Sequence, residues 1–335
     1  MNQHSDKTSR TSEFRPTATW DILVRRAELL GQLRSFFDQH GFLEVETPLI
    51  STDSIVDRHL EPIEICSEDG FRSSTDSKPR FWLQTSPESA MKRLLASGAT
   101  AIYQVCKAFR LGERGNLHNP EFTIVEWYRR DDQMDDGIEF FSRLADSLLH
   151  RGPAEKLSYQ AAFLKYANVD PLKTNVEQLQ AQCAKLGVSI PAQLDSELDN
   201  WLELLLTEVV QPRLGQQTPV ILYNFPASQA ALANVCELDQ RVARRFELFI
   251  DGIELANGYE ELRDADELER RMEMANRQRV ADQKQSLPGA EKLLAAMQDN
   301  LPPCTGVALG WDRIVMLATG CTRIDQVVSF PWERA

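Results

Sequence analysis

Apolar residues recur with a helical period in the stretch 21–40, DILVRRAELLGQLRSFFDQH, where Leu23, Ala27, Leu30, Leu33 and Phe37 fall on one stripe. Asp21 is placed to cap that helix and Gly41 to stop it. FLEVETP (42–48) changes to a short strand pattern ended by Pro48, and 59–84 reads as strands joined by the polar loop EDGFRSSTDSKP. Ser86-Pro87-Glu88 has the form of a helix start, a serine cap followed by proline in the first turn, and that helix runs through MKRLLAS. Strand patterns follow at 101–110 and 121–130, joined by LGERGNLHNP. From 135 to about 212 the period is mostly helical. VILYNF (220–225) is a strand, and 242–258 is a hairpin turned at Asp251-Gly252. Two long charged helices occupy 264–299, and CTGVALG is a short buried strand followed by a helix from Trp311. No internal repeat is present. Hairpins with helices between them, rather than strand–helix alternation, predict the α+β class: an antiparallel β-sheet flanked by helices.

Composition narrows this little. At 42% hydrophobic and 26% charged residues the chain reads as an ordinary soluble globular protein. No run approaches the roughly 18 apolar residues of a membrane helix, so no membrane partner is expected. MNQHSDKTSRTSEFRPTAT lacks an apolar core for secretion, and residues 1–18 are expected to be a flexible tail before one large unit, 19–335. Cys66, Cys106, Cys183, Cys236, Cys304 and Cys321 form no C-x-x-C pair, which suits reduced core residues of a cytoplasmic protein and argues against a structural zinc site. The net charge of −13, with no Lys/Arg-rich block, lowers the odds of a nucleic-acid partner and suits a site that holds cations.

The common nucleotide loops, G-x-x-x-x-G-K-[ST] and G-x-G-x-x-G after a strand, are absent. Any nucleotide site must therefore be made from side chains on a sheet. Along 121–130, Phe122, Ile124, Glu126 and Tyr128 share one face and Thr123, Val125 and Trp127 the other. The first face is either a ligand surface or a half-solvated outer face. In the hairpin, Ile250 is expected opposite Ile253, Phe249 opposite Glu254 and Leu248 opposite Leu255. Glu247 and Glu254 then become diagonal neighbours about 7–8 Å apart, able to share a hard cation or simply to be exposed. Arg110, with Glu113, Arg114 and His118 in the loop after it, can hold phosphates or form a surface salt bridge. Arg313 lies in the first turn of a helix, where a cation gains nothing from the helix dipole, and a ligand explains it better.

Together these segments resemble the three motifs of class II aminoacyl-tRNA synthetases, the lysyl type above all. GFLEVETPLIS resembles motif 1, FRLGERGNLHNPEFTIVEWYR (109–129) motif 2, and GVALGWDRIVML (306–317) motif 3. IDGIELANGYEEL (250–262) resembles the lysyl segment that closes the amino-acid pocket. The resemblance implies that Arg110 and Arg313 are catalytic. It implies an ATP site of Arg110, Leu111, Gly112, Glu113, His118, Asn119, Phe122, Glu254, Leu255, Gly310 and Arg313, with Phe122 and Arg313 sandwiching the adenine. Glu247 and Glu254 would bind Mg²⁺. Ser86, Pro87, Glu88, Glu126, Tyr128, Glu261 and Ala308 would receive the amino acid, and motif 1 would form a homodimer.

Three departures are visible. No anticodon-reading domain is expected, because only about 20 residues precede motif 1. The usual F-R-x-E reads Phe109-Arg110-Leu111-Gly112-Glu113, with the carboxylate displaced by one residue, and Ala308 replaces the middle glycine of motif 3. With FPASQAALA (225–233), these features resemble the elongation factor P–(R)-β-lysine ligases. That likeness implies activation of β-lysine (or lysine) by ATP, transfer to the ε-amine of a lysine on elongation factor P as protein acceptor, and no stable tRNA binding. Aminoacylation of tRNA and an inactive regulatory paralogue are the alternatives.

Overall fold

The computed structural model describes residues 14–65 and 80–335. Cys66, the polar loop 68–79 and most of the expected tail lie outside the described residues. The chain forms two compact units, one of Met1–Glu126, Ala265–Asn300 and Gly310–Ala335, the other of Trp127–Asp264 and Leu301–Leu309.

In the first unit, helix α1 spans Trp20–Gln39. Its cap is Thr19 rather than Asp21, because Leu23 N already donates to Thr19 O (3.0 Å), and Asp21 lies in the first turn. The buried stripe is Leu29, Leu33 and Phe37, spaced by four, whereas Ala27 is exposed. Phe37 stacks on Tyr103, ring centroids 4.2 Å apart, and so draws the C-terminal half of the helix onto the sheet. Residues 14–18 are not wholly loose: Ala18 is buried and Thr17 N donates to Ser329 O at 3.0 Å.

Strand β1, Leu43–Glu44, is parallel to β5, Ala101–Phe109. Strands β2 (Ile50–Ser51), β3 (Glu64–Ile65) and β4 (Phe81–Leu83) make a small sheet in the order β2-β4-β3. Helix α2, Glu88–Ala96, begins one position later than expected. Pro87 is the cap residue, and Ser86 Oγ accepts from Glu88 N at 3.1 Å. Strand β6 is Glu121–Arg130.

In the second unit, α3 (Met134–Leu149), α4 (Tyr159–Tyr166), α5 (Val176–Leu186) and α6 (Leu198–Leu205) account for the helical region. One short strand interrupts it, β7 (Glu155–Ser158), parallel to β8 (Val220–Pro226). Tyr159, Phe163, Trp201, Leu205, Leu222, Phe225 and Phe249 belong to one buried cluster, so these helices are packed on the sheet.

Strands β9 (Val242–Ile250) and β10 (Ile253–Glu260) form the expected hairpin. Asp251 (φ 53°) and Gly252 (φ 74°) both take the left-handed conformation that a two-residue turn of this kind requires. The register runs Ile253↔Ile250 and Glu254↔Phe249, then shifts so that Ala256 opposes Leu248. The expected Leu248–Leu255 pair is therefore absent. Leu255 is the extra residue of a β-bulge, and Asn257 comes opposite Glu247.

Helices α7 (Ala265–Ala281) and α8 (Glu291–Asn300), strand β11 (Cys304–Gly310) and helix α9 (Trp311–Thr319) complete the chain. The eight-stranded sheet has the order β1-β5-β6-β11-β10-β9-β8-β7, with its parallel pairs at the two ends. This is the expected α+β architecture. Cys183, Cys236 and Cys304 are buried as foreseen, whereas Cys106 and Cys321 are only partly so. No helix among the described residues is long and apolar enough to cross a membrane.

Candidate active site

The first unit carries the residues predicted for the ATP site except Glu254 and Leu255, which belong to the second. Arg110 follows β5, and its N–H donates to Pro120 O at 2.9 Å, which closes the loop between β5 and β6. The guanidinium lies over the Phe122 ring, 4.9 Å from its centroid. Glu113 approaches the same guanidinium at 3.6 Å. Gly112 between them has φ +84°, a left-handed turn on the way from Arg110 to the carboxylate that approaches it. His118 Nε2 lies 2.7 Å from Arg313 Nη2. A guanidinium only donates, so Nε2 is the unprotonated nitrogen of that ring.

Arg313 follows a residue that is tied to β6 and α1. The neighbouring Asp312 is buried in the first turn of α9, accepts from Thr123 N at 2.8 Å and pairs with Arg26 at 2.7 Å. Asn119 is spent on the backbone: Nδ2 donates to Glu121 O at 2.5 Å and Oδ1 accepts from Trp332 N at 3.0 Å. It braces the loop that carries His118. Leu111 is 52% exposed, and its N–H donates to Glu61 O at 2.7 Å. Gly310, the cap of α9, is half-buried.

The face of β6 left open between ligand surface and solvated exterior is buried. Ile124 is 3% exposed and Glu126 is fully buried. Ser86 Oγ donates to Glu126 Oε1 at 2.6 Å. Pro87 and Glu88 follow at the start of α2, where the Glu88 carboxylate is paired with the buried Lys92 one turn later.

In the second unit, Tyr128 and Glu261 are both buried and come together over Gly306. A methyl group on Gly306 would lie 2.5 Å from Tyr128 Cδ1, and closer still to Tyr128 Cε1 and Glu261 Oε1. The missing side chain is what admits the phenol and the carboxylate. Ala308 stands two residues on, opposite Asn257, and so shares the face of β11 with Gly306.

Glu247 and Glu254 face each other's charge. Burial holds the Glu247 carboxyl well above the usual glutamate range, the attraction of Arg245 opposes this, and the Glu254 charge adds to it. Arg245 donates to Glu247 Oε1 at 2.6 Å and to Gln229 O at 2.8 Å, and lies 4.6 Å from the Phe225 ring centroid. The two partners are pulled differently. Arg245 stays firmly protonated, while Glu247 must also carry the cost of its own desolvation and the second carboxylate. Among the described residues no group of three or more His, Cys, Asp or Glu is arranged around one point for a metal. A cation held by Glu247 and Glu254 would thus draw its other ligands from a bound phosphate or water. Leu255, the bulge residue, is buried.

Arg245, Lys92, Asp312 and Gly306 were missed in the sequence. Arg245 could have been found from its period-two spacing to Glu247, and Gly306 from the first glycine of the third motif. Nothing in the sequence marked Lys92.

The first unit thus carries Arg110 and Arg313 at the ends of its elements, and the second carries the buried carboxylates of Glu247 and Glu261 on and beside its strands. The family described as tRNA synthetases class II (D, K and N) matches residues 2–334. The chain belongs to this family, whose members are ATP-dependent ligases that activate an amino acid and transfer it.

Proposed function

We propose that this chain activates (R)-β-lysine with ATP and transfers it to the ε-amine of one lysine of elongation factor P. The observation that carries the choice of a cationic amino acid is the Tyr128–Glu261 pair over Gly306, a phenol and a buried carboxylate. An ammonium group offsets the desolvation of such a carboxylate. Glu126, fully buried and bonded by Ser86 Oγ, adds a second carboxylate of the same kind. Ala308, on the Gly306 face of β11, adds a methyl where the family pattern has hydrogen and reshapes the pocket floor. That change suits a substrate whose amino group lies one carbon further along.

The donor sets fit the groups that the family uses. Arg110 and Arg313 present guanidinium forks suited to phosphate oxygens and carboxylates. Phe122 offers a ring face for a base. Glu247 and Glu254 supply the oxygens that a hard cation takes, and a divalent cation there offsets the burial, and after it the Glu254 charge, that raise Glu247. Bound there, Mg²⁺ supplies charge neutralisation for the phosphates.

In this reading a carboxylate oxygen of β-lysine attacks the α-phosphorus of ATP, and pyrophosphate leaves. Arg110 stabilises the charge developing on the phosphoryl oxygens. Glu113 and the Phe122 ring hold that guanidinium in place, and His118 does the same for Arg313. The acceptor ε-amine then attacks the carbonyl carbon of the adenylate, AMP leaves and the amine loses a proton. No side chain becomes acylated, so positioning supplies most of the rate.

Transfer to tRNA is the second reading, favoured by the family's own description. The net charge of −13 opposes it, because affinity for nucleic acid comes largely from phosphate neutralisation. The deciding experiment is ATP–pyrophosphate exchange with α-lysine, (R)-β-lysine and (S)-β-lysine, followed by addition of elongation factor P or tRNA. Strongest exchange with (R)-β-lysine and a mass gain on the protein are expected. Exchange with α-lysine and charging of tRNA would establish the second reading, and absence of exchange would leave a regulatory paralogue.

A further inference from the structure

Arg279, on α7, is a charge of the first unit that has no part in the chemistry above. It is fully buried, and its guanidinium bonds reach beyond the helix that carries it. Nε donates to Gln285 O at 2.9 Å, Nη1 to Asp57 O and Leu60 O at 2.9 Å each, and Nη2 to Glu61 Oε2 at 2.8 Å. The segment 57–61 has no helix or strand of its own, so this guanidinium supplies much of what fixes it. Neighbouring ties reinforce the same seam. Arg58 pairs with Asp282 at 2.8 Å, and Lys284 Nζ donates to Arg58 O at 2.7 Å.

The far side of the segment meets the nucleotide loop. Glu61 O accepts from Leu111 N at 2.7 Å. Leu111 directly follows Arg110 and precedes Gly112 and Glu113. The bond from Leu111 to Glu61 therefore anchors the turn at Gly112 that leads from Arg110 to Glu113.

We propose that Arg279 is a positioning residue for ATP: it clamps 57–61, and through Glu61 O and Leu111 N it sets the aim of Arg110 and Glu113. This rests on the reading of Arg110 as a ligand of the ATP phosphates. An arginine making three bonds to one strap, and a fourth to Gln285, transmits position rather than charge, and no contact with ATP or amino acid is required of it. The consequence is specific. Loosening the strap weakens ATP and leaves the amino acid, received by Ser86, Glu126, Tyr128 and Glu261, unaffected.

The test is steady-state ATP–pyrophosphate exchange, with KM for ATP and for the amino acid measured separately, on the full chain. Arg279→Lys keeps the charge but cannot span four acceptors. Glu61→Gln keeps the carbonyl that holds Leu111 and loses only the ion pair. The expected result is a KM for ATP raised about tenfold in Arg279→Lys and severalfold in Glu61→Gln, with KM for the amino acid unchanged. The stabilisation of the folded protein by a non-hydrolysable ATP analogue should shrink in the same order. If Arg279→Lys does not fold, Glu61→Gln decides alone. Unchanged ATP dependence in the folded variants, or equal weakening of both substrates, overturns the proposal. A wild-type protein that neither exchanges pyrophosphate nor binds the analogue overturns the ATP reading itself, and this inference with it.

Discussion

Gly306→Ala adds one methyl where the second unit brings a phenol and a carboxylate over the strand. The backbone at 306 is not left-handed, so alanine meets no conformational penalty there. The cost is steric. The new carbon would lie 2.5 Å from Tyr128 Cδ1 and nearer to two other atoms, whereas carbon atoms rest at about 3.5–4.0 Å. About 1 Å of displacement is required. Tyr128 is 3% exposed and Glu261 1%, so neither has open space to retreat into. Overpacking of this kind costs about 1–3 kcal/mol of stability, and a shift of about 1 Å in groups that receive a substrate costs on the order of 100-fold in rate. Thermal unfolding should show the first effect. Exchange measured against amino-acid concentration should show the second as a rise in amino-acid KM, with KM for ATP held. A variant with wild-type Tm and wild-type amino-acid dependence would mean that Tyr128 and Glu261 do not receive the substrate, and the choice of a cationic amino acid would lose its support.

Arg110→Ala should lower exchange by at least 100-fold with an unchanged circular dichroism spectrum; near-normal exchange would remove Arg110 from the chemistry. Ala308→Gly should move preference toward α-lysine, read as the ratio of kcat/KM values for the two lysines; a constant ratio would mean that the methyl does not shape the pocket. Glu247 keeps its proton above the range, near pH 4.3, where an ordinary glutamate loses it, and a cation binds only the carboxylate. Binding of Mg²⁺ with an ATP analogue should therefore release a proton within that raised window and none well above it, measured by calorimetry in buffers of differing ionisation enthalpy; no release in the wild type would contradict the assignment. Trp20, 75% exposed, and Val24 place an apolar surface on the outer side of α1; we propose that it forms the homodimer contact implied by the first-motif resemblance, so the wild type should sediment as a dimer and Trp20→Glu as a monomer, and a monomeric wild type or an unaltered dimer would refute that contact.

Much of the fold could be read from the sequence because its signals were local. Glu121–Arg130 was recovered to the residue from its alternation and flanking loop, and the Asp251-Gly252 turn from a dipeptide that tolerates left-handed backbone twice. What failed depended on distant partners. The bulge at Leu255 is set by strands on both sides of the hairpin, so a count outward from the turn goes wrong after two pairs. The stripe on α1 drifts to Leu29, Leu33 and Phe37 because Phe37 follows Tyr103, more than sixty residues away. In the site, residue types and spacing could be read from the sequence, but their contacts within the protein could not. Asn119, expected as a ligand group, also bonds backbone at Glu121 and Trp332, and Glu88 is paired with Lys92.

Buried carboxylates give a physical reason to expect that cationic ligands stabilise this fold. Glu126, Glu247 and Glu261 are each at most 4% exposed, and desolvating an ionised carboxylate costs several kcal/mol unless partners restore the lost hydration. The chain supplies part of that compensation itself, through Ser86 at Glu126 and Arg245 at Glu247. Replacing all of it would be easy for evolution, since a methionine or leucine in such a position is often neutral or stabilising. Retaining carboxylates there is reasonable only if cationic ligands complete the compensation. The expected sign follows directly: an ammonium-bearing substrate, or Mg²⁺ with nucleotide, should raise Tm, by about 2.7 kcal/mol of stabilisation at a hundredfold excess over Kd. An uncharged amino acid of similar length should not. Equal stabilisation by the two would show that the carboxylates are held for the fold alone.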